Sequence, residues 1–251
     1  MPEVIVAWWI LPLFFFVAML YASVGHGGAS GYLALFALAG VATSAVVPIA
    51  LMLNILVASV GFAVYQRNGY FSFRLLKPFI IGSIPAAFIG GLIPLSSQTF
   101  SLLLGLALTL AAIRMLFLRE VKATSPDKTI GQNWIWPLCI GLVLGLVSGM
   151  VGIGGGIFLS PILLFLRWAD AKHTAAVSSA FIVVNSVSGL AGHLSRGNVA
   201  TSPMIILGAC VLAGGFLGSY LGARRARPLF LQTLLGLVLL IAGGKLLLLF
   251  V

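Results

Sequence analysis

The sequence predicts an all-α integral membrane protein of two inverted-topology repeats, each a glycine-broken, re-entrant helix hairpin followed by three transmembrane helices. The 251 residues are 61% hydrophobic and only 7% charged, whereas soluble domains carry about 25% charged residues. The apolar stretches run for about 18 to 22 residues, the length that a helix needs to cross a hydrocarbon core of about 30 Å. They lack the alternation of porin strands. A glycine-rich interruption and the segments that follow it also occur twice.

Glycine runs interrupt apolar sequence at 25–31 and again at 152–156. Each glycine costs a helix roughly 1 kcal/mol relative to alanine, so neither run supports a continuous helix. In lipid, such a break is tolerated only where it is buried in protein or lines a cavity. Two breaks at matching places in two halves of a chain are the best sequence indication of a transporter's substrate site.

The first half, residues 1–118, is predicted to contain the hairpin and three spans. Its apolar segments are a helix at 5–24, a short arm at 32–40, and spans at 43–65, 78–94 and 98–118. A polar loop at 66–77 joins the first two spans. The longest polar segment, 119–133, is predicted to be a cytoplasmic linker between the halves.

The second half, residues 134–251, repeats this order. Its segments are apolar residues 134–151, the break, a short arm to residue 165, and spans at 174–194, 202–222 and 228–249. Asn54 and Asn185 lie near the middle of equivalent spans. Chance seldom produces the same succession twice, which indicates an internal duplication.

Charge predicts the orientation of the halves. With the loops at 66–77, 114–133, 167–173 and 224–227 in the cytoplasm, 12 of the 14 Lys and Arg residues lie inside, as the positive-inside rule requires. Only Arg196 and Lys245 lie outside, together with both termini. Loop 66–77 is then cytoplasmic while its counterpart at Arg196 is external, so the halves are inverted. A parallel arrangement would export the loop that contains three arginines and is disfavoured.

With the loops on these sides, each hairpin must begin and end on the same side of the membrane. Each hairpin therefore either crosses the membrane twice or enters and returns. The second arm of each has only about a dozen residues, which reach roughly 18 Å at 1.5 Å per residue, well short of the core thickness. This favours re-entrant hairpins that enter from opposite faces, with their glycine tips near the midplane.

The breaks also predict an anion site. A helical arm is predicted to begin at Gly28 or Ala29 in the first break and at Gly155 or Gly156 in the second. A helix N-terminus offers unpaired N–H groups and about half a positive charge. Glycine allows an oxyanion to approach this backbone; the candidates are Gly25, Gly27, Gly28, Gly152, Gly154, Gly155 and Gly156. Glycine can instead serve close helix packing. Packing is expected for the isolated Gly90, Gly91, Gly214, Gly215 and Gly218, whereas the two clusters are denser than a packing motif.

Five side chains near the breaks are further candidates. Asn54 and Asn185 could hydrogen-bond substrate oxygens or satisfy backbone groups freed by the breaks, because an unpaired amide in the membrane costs several kcal/mol. Ser30 and Ser160 lie just inside the arms and could face the site or bond back to the preceding turn. His26 is the only titratable side chain in either break. It could carry a coupling proton or be a neutral, hydrogen-bonded histidine.

An enzyme is not expected. The four acidic residues lie in or near aqueous segments, so they form no catalytic triad, carboxylate pair or metal site, and no cofactor is indicated. The net charge of +10 is spread over short loops, which indicates membrane topology rather than nucleic-acid binding.

The chain resembles the sulfite exporter TauE/SafE family of bacterial and archaeal membrane transporters over essentially its whole length. The residues that carry the resemblance are the run Gly152-Ile153-Gly154-Gly155-Gly156 with Ser160-Pro161, and the weaker copy at Gly25 to Gly28, in which Ala34 stands at the position of Pro161. The resemblance implies secondary transport of a small sulfur-containing anion, such as sulfite or an organosulfonate like sulfoacetate, across the cell (inner) membrane.

The leading hypothesis is therefore an anion transporter that works by alternating access, with coupling to protons or sodium left open. One alternative is an anion channel that uses the same glycine-rich tips as a filter. Another is a membrane subunit whose partner performs the chemistry, but the short loops disfavour it. The direction of transport and the oligomeric state stay open.

Overall fold

The computed structural model describes residues 10–41, 44–117, 134–197, 204–224 and 229–248. Within these ranges the chain forms ten α-helices and no strand: α1 Leu11–Ala22, α2 Ala29–Leu38, α3 Val47–Arg67, α4 Phe73–Leu92, α5 Ser97–Phe117, α6 Ile135–Val151, α7 Gly156–Phe165, α8 Ala171–Leu194, α9 Met204–Arg224 and α10 Leu229–Leu248. A 3-10 turn, Ser44–Val46, precedes α3. The predicted all-α class is confirmed. The predicted linker 119–133 lies outside the described residues, so the boundary between the halves stays a prediction.

Four of these helices are long and apolar enough to cross a membrane: α3, α4, α8 and the Ile206–Arg224 part of α9. The helices beside the breaks are shorter. Helix α1 has 12 described residues, and α2 and α7 have 10 each, so each of these two arms is about 15 Å long. Both arms are therefore half as long as the hydrocarbon core is thick.

Helix α4 begins at Phe73, five residues before the predicted start. The side chain of Ser72 accepts a hydrogen bond from the Leu75 N–H at 3.4 Å and so caps the helix. Pro78 consequently lies inside α4 rather than at its start. The prediction was wrong here because the charged Arg74 and Lys77 were assigned to the polar loop, whereas the serine cap starts the helix before them.

Helix α8 likewise begins at Ala171 rather than at residue 174. Asp170 caps it: one carboxylate oxygen accepts from the His173 N–H at 2.9 Å, and the other lies 2.9 Å from the His173 ring nitrogen. His173 is therefore in the first turn of α8, and the prediction that it lies in a loop was wrong. Burial raises the pKa of Asp170, but the hydrogen bonds from His173 outweigh it and hold the pKa below its usual value.

Replacing Asp170 by alanine is expected to lower stability by about 0.5–2 kcal/mol, because the α8 N-terminus loses its cap. A carboxylate whose pKa is lower in the folded state stabilises the fold above its unfolded pKa, and this contribution is lost as the pH falls. The difference in melting temperature between wild type and variant should thus be full at pH 7 and shrink below about pH 4. A difference that does not change with pH would contradict the carboxylate cap.

The helices of the two halves pack in corresponding pairs. Helix α1 packs on α9 and α6 packs on α4, while α3 packs on α8 and α5 on α10. Helix α3 also contacts α9, as α4 contacts α8. If each helix is exchanged for its counterpart in the other half, the same contacts result. The counterparts are α1 and α6, α3 and α8, α4 and α9, and α5 and α10. The long helices α3 and α8 lie together at the centre of this arrangement.

The isolated glycines allow these pairs to pack closely, as predicted. A Cβ atom at Gly90 would overlap the carbonyl oxygen of Leu146, and one at Gly91 would overlap that of Gly189. Between α9 and its neighbours, Cβ atoms would overlap backbone or side chains at three further glycines, Gly214, Gly215 and Gly218. Small residues of this kind bring membrane helices into backbone contact.

Helix α2 lies inside the protein. All nine residues from Ala29 to Ala37 are buried. At its C-terminus, Lys245 of α10 donates hydrogen bonds to the carbonyl oxygens of Ala37 at 3.0 Å and Leu38 at 3.2 Å. A cation at this end of a helix satisfies unpaired carbonyls and the helix dipole. The arm is thus held at the end opposite the glycine break.

Candidate functional site

The two glycine breaks have similar but not identical backbones, because only the second has a positive φ at its third residue, 69° at Gly154. Their first and fourth residues all have positive φ angles: 77° at Gly25, 103° at Gly28, 83° at Gly152 and 75° at Gly155. Gly28 and Gly155 are the N-cap residues of α2 and α7, both in the left-handed region. This region costs a residue with a side chain roughly 1–2 kcal/mol. Glycine therefore lets the chain turn directly into each arm.

The side chain of Asn54 joins the two breaks. Its Oδ1 accepts a hydrogen bond from the Ala29 N–H, the first of α2, at 3.0 Å. A Cβ atom at Gly27 would overlap this Oδ1, and one at Gly154 would overlap Nδ2 of the same amide. Asn54 is only 1% exposed. One buried amide thus fills the space between a glycine of the first half and a glycine of the second.

Helix α8 completes this contact. Asn54 Nδ2 donates to Ser186 Oγ at 2.8 Å, and Ser186 is fully buried beside Gly154. Two turns closer to the start of α8, Ser179 Oγ lies 2.9 Å from the carbonyl oxygen of Gly25 and donates to it or to Ala175 O. Serine hydroxyls of α8 therefore contact both breaks.

A second group of hydrogen bonds joins His26 of the first break to the arm α7. His26 Nε2 lies 2.9 Å from Ser160 Oγ, which lies 2.8 Å from Ser178 Oγ and 3.0 Å from the carbonyl oxygen of Gly156. A carbonyl only accepts, so the Ser160 proton points to Gly156. Ser160 Oγ then accepts from both His26 Nε2–H and the Ser178 hydroxyl, which uses its one donor and two acceptor positions.

The site is polar but carries no fixed charge. Among the described residues, no Asp, Glu, Lys or Arg is buried, whereas His26, Ser30, Asn54, Ser160 and Asn185 are all at most 4% exposed. The described residues also contain no group of three or more His, Cys, Asp or Glu side chains that could hold a metal ion. Backbone N–H groups, amides and hydroxyls are thus the groups available to a ligand.

The comparison with known protein families agrees with this arrangement. The family described as sulfite exporter TauE/SafE matches residues 10–246. The chain belongs to the sulfite exporter TauE/SafE family. The matched region contains both glycine breaks and all of the ten described helices except the last two residues of α10.

Curated relatives of this TauE/SafE chain are named as probable membrane transporter proteins. The protein y4hK of Sinorhizobium fredii is 36% identical over 237 residues, which cover 93% of this chain and 95% of the relative. YjnA of Bacillus subtilis is 27% identical over 250 residues, covering 92% of this chain and 96% of the relative. No solved structure matches the chain. The protein is therefore a membrane protein of a transporter family.

In this TauE/SafE member, the two central asparagines differ in their partners. Asn54 satisfies a backbone group at a break, which is one of the two roles expected for it. Asn185 instead donates its Nδ2 to the carbonyl oxygen of Phe181, one turn earlier in its own helix, at 2.8 Å. Its buried Oδ1 has no hydrogen-bond partner. The two asparagines lie in corresponding spans but at different positions, since Asn54 is the eighth residue of α3 and Asn185 the fifteenth of α8.

The remaining TauE/SafE candidates are placed as follows. Ser30 bonds to Tyr21 of α1 at 2.7 Å rather than to either break. Ser160 bonds back to the preceding turn, which is one of its two expected roles, and also to His26. Gly152, the C-cap of α6, packs against Val47. Gly156 begins α7 against Ile182.

Sequence reasoning missed the serines of α8 that contact the breaks: Ser178, Ser179 and Ser186. Their spacing offered a signal, since Ser178 and Ser186 lie two helical turns apart and Ser186 follows Asn185. Serine is nevertheless a weak signal in a membrane span, because its hydroxyl can bond to its own helix. Only the packing of α8 against the breaks distinguishes these serines from others.

Proposed function

We propose that this protein is a secondary transporter that moves a small sulfur-containing anion, such as sulfite or an organosulfonate like sulfoacetate, across the cell membrane by alternating access. Its substrate site lies between the two glycine breaks. The observation that carries this proposal is the meeting of Gly27 and Gly154, one from each half, at the amide of Asn54. Family membership supports transport, and the family description supports the class of anion.

The proposal includes an inverted arrangement of the halves, which the helix contacts support. Lys172 of α8 donates to Tyr70 Oη at 3.1 Å, so the loops at 66–77 and 167–173, both proposed to be cytoplasmic, meet. Arg196 donates to the carbonyl oxygen of Ile93 at 3.2 Å, which joins two ends proposed to be external. The helix contacts are also reproduced when each helix is exchanged for its counterpart in the other half, as two inverted repeats require.

The proposal also includes re-entrant hairpins. Lys245 lies one turn before the end of α10 and binds the carboxyl end of α2. From that end, α2 extends about 15 Å to the first break. This distance is half of a hydrocarbon core about 30 Å thick. The break is thus proposed to lie at the membrane midplane.

The chemistry of the site suits a small oxyanion. The arm α2 presents its N-terminal N–H groups, and the partial positive charge of a helix N-terminus favours an anion. Hydroxyl and amide donors from α3, α7 and α8 surround it. The absence of a buried Lys or Arg among the described residues favours release as well as binding, because no full charge holds the anion.

Binding to the purified protein tests this function. Sulfite, sulfate, thiosulfate, sulfoacetate, taurine and acetate would be titrated by calorimetry, in sodium and sodium-free buffers at two pH values. Saturable binding of one sulfur oxyanion, lost in Asn54→Ala or Asn185→Ala and retained in the exposed control Asn68→Ala, is the expected result. Stabilisation by none of these anions would overturn the anion assignment.

Electrical recording separates a carrier from a channel. In planar bilayers, a carrier of this kind should give no unitary currents, whereas an anion channel using the glycine tips would conduct far faster than any carrier turns over. Unitary anion currents that disappear in Gly154→Val would replace the proposed transporter with the channel.

His26 is proposed to carry the coupling proton. Replacing it by glutamine should keep a hydrogen bond to Ser160 but remove the titratable imidazole. Uptake into proteoliposomes by His26→Gln should therefore lose its dependence on pH between 6 and 8. His193→Gln is the matched control, because His193 is also buried and binds a carbonyl, that of Gly149 at 2.8 Å. An unchanged pH profile in His26→Gln would exclude the proton role.

A further inference from the structure

The side chain of Asn185 presents an unpaired oxygen inside the second half. Its Nδ2 donates to the carbonyl oxygen of Phe181 at 2.8 Å. Because a carbonyl only accepts, the amide nitrogen must face Phe181, and Oδ1 must point away from it. Asn185 is 1% exposed, and its Oδ1 has no hydrogen-bond partner among the described residues. Buried polar atoms are nearly always hydrogen-bonded, so this oxygen requires an explanation.

Two serines of neighbouring helices present further buried oxygens. Ser83 of α4 is fully buried, and its Oγ also lacks a hydrogen-bond partner in the part of the chain that the structure describes. Ser148 of α6 is 1% exposed, and its hydroxyl donates to the carbonyl oxygen of Gly145 at 3.0 Å. The one proton of this hydroxyl is thus used, and its oxygen can only accept further bonds. Helices α4, α6 and α8 therefore each contribute one buried oxygen with unused acceptor positions.

The three helices meet next to the second break. A Cβ atom at Gly189 of α8 would lie 3.4 Å from Gly149 Cα of α6 and 3.6 Å from the Ala87 carbonyl oxygen of α4. One turn earlier on both α4 and α6, a Cβ atom at Gly145 would overlap the backbone of Ser83. The contacts advance together along the two helices, so α4 and α6 run in the same direction.

Helix α8 also runs in the direction of α4. Ser188 Oγ donates to the carbonyl oxygen of Ile84. One turn later on both helices, a Cβ atom at Gly192 would overlap the carbonyl oxygen of Phe88. Asn185 and the unpaired serine of α4 each lie four residues, one turn, before the point where the three helices meet, and on the same faces. Their two oxygens are therefore at one level of the protein.

Ser148 borders the same place. A Cβ atom at Gly155 would lie 3.2 Å from Ser148 Oγ and 2.9 Å from the ring of Phe181. Phe181 precedes Asn185 by one turn of α8. The hydroxyl of Ser148 therefore faces α8 beside the N-cap of α7.

We infer that Ser83, Ser148 and Asn185 bind sodium beside the second break. Oxygens with free acceptor positions attract a cation and repel an oxyanion. Among the described residues no Asp or Glu is buried, whereas calcium and magnesium sites use carboxylates, so the site fits a monovalent cation. Ser148 also lies in the last turn of α6, where the C-terminus carries about half a negative charge. Transporters bind sodium at such half-helix ends.

Sodium at this place would be coupled to the anion of the proposed function, on which this step rests. Gly155, the N-cap of α7, lies beside Ser148. The positive end of the α7 dipole opposes sodium there until a bound anion offsets it. Each ion should therefore bind more tightly when the other is present, and by the same factor.

Thermal unfolding of the full-length protein in nanodiscs, without any sulfur oxyanion, tests the sodium site. Sodium chloride replaces choline chloride at constant ionic strength. The melting temperature of wild type should rise saturably with sodium, because a ligand that binds the folded state stabilises it. Ser83→Ala and Asn185→Leu should each weaken the apparent affinity for sodium about tenfold or more, since even the residues behind metal ligands contribute about 10–100-fold.

The fully buried Ser219 provides the matched control, because its hydroxyl donates to its own helix at Gly215, at 2.6 Å. Ser219→Ala should keep the response to sodium. In choline chloride, Ser83→Ala should melt no earlier than wild type, since its hydroxyl has no hydrogen bond to lose within the described residues. This variant keeps the test decisive where Asn185→Leu folds poorly. No rise with sodium in wild type, an equal rise in Ser83→Ala, or early melting of Ser83→Ala in choline would each overturn the inference.

The anion panel separates this inference from the proposed function. Calorimetry should show anion binding to wild type that is about fivefold or more tighter in sodium than in choline, and no such difference in Ser83→Ala. Sodium stabilisation without binding of any anion would leave the cation site standing and remove the proposed substrate. Anion binding that is equal in both buffers, without sodium stabilisation, would leave the substrate standing and remove the cation site.

Discussion

Gly154→Ala is expected to reduce transport at least a hundredfold while the protein still inserts into the membrane. The added Cβ would overlap Asn54 Nδ2 and lie against Ser186 Oγ, the two groups that join the breaks. Neither can retreat easily, since both are buried and hydrogen-bonded to each other. The bond from Asn54 to α2 should be lost with them. Uptake of the anion identified by calorimetry, into proteoliposomes with equal protein content, measures the effect.

Gly69→Ala is the matched control for this substitution. Gly69 has a φ of 79°, close to the 69° of Gly154, but a Cβ there meets nothing within 4 Å. Both variants therefore bear the same backbone strain of roughly 1–2 kcal/mol. Only Gly154→Ala adds the collision with Asn54. Equal transport by the two variants would show that the contact between the breaks has no part in transport.

The sequence was sufficient to predict the helices and the two breaks. Apolar length predicted six spans, and four of the described helices are long and apolar enough to cross a membrane; glycine density identified the two places where a helix cannot continue. Errors arose at helix starts, as at Ser72 and Asp170, where one hydrogen bond from a capping side chain extends a helix by a turn. Such a bond leaves no trace in hydropathy. The arms α2 and α7 begin where predicted because an N-cap glycine marks both starts.

Partners of individual side chains were less predictable. Position in a span predicted that Asn54 and Asn185 are buried and near the breaks, but it could not say that only Asn54 binds an arm. The choice depends on side-chain rotation and on helix packing across the two halves, such as the contact of Ser186 with Asn54. The link between His26 and Ser160 likewise joins residues 134 positions apart. Contacts of this range follow from tertiary packing rather than local sequence.

Asn54→Leu is expected to cause the largest loss of stability of any single substitution at the site. Leucine is close to asparagine in shape but cannot accept from the Ala29 N–H or donate to Ser186 Oγ. Each of the two buried groups left unpaired costs about 1–3 kcal/mol, so the variant should lose about 2–6 kcal/mol. Its thermal unfolding in detergent should begin well below that of wild type.

A double-mutant cycle with Ser186→Ala separates this loss from simple misfit of the leucine side chain. If the cost arises from broken hydrogen bonds, Ser186→Ala should cost about 1 kcal/mol in wild type and almost nothing in Asn54→Leu, because its partner is already absent. Additive losses would assign the effect to packing instead. Asn68→Leu, at the exposed C-cap of the same helix, should stay within about 0.5 kcal/mol of wild type. The coupling between Asn54 and Ser186 thus measures directly how strongly α8 holds the two breaks together.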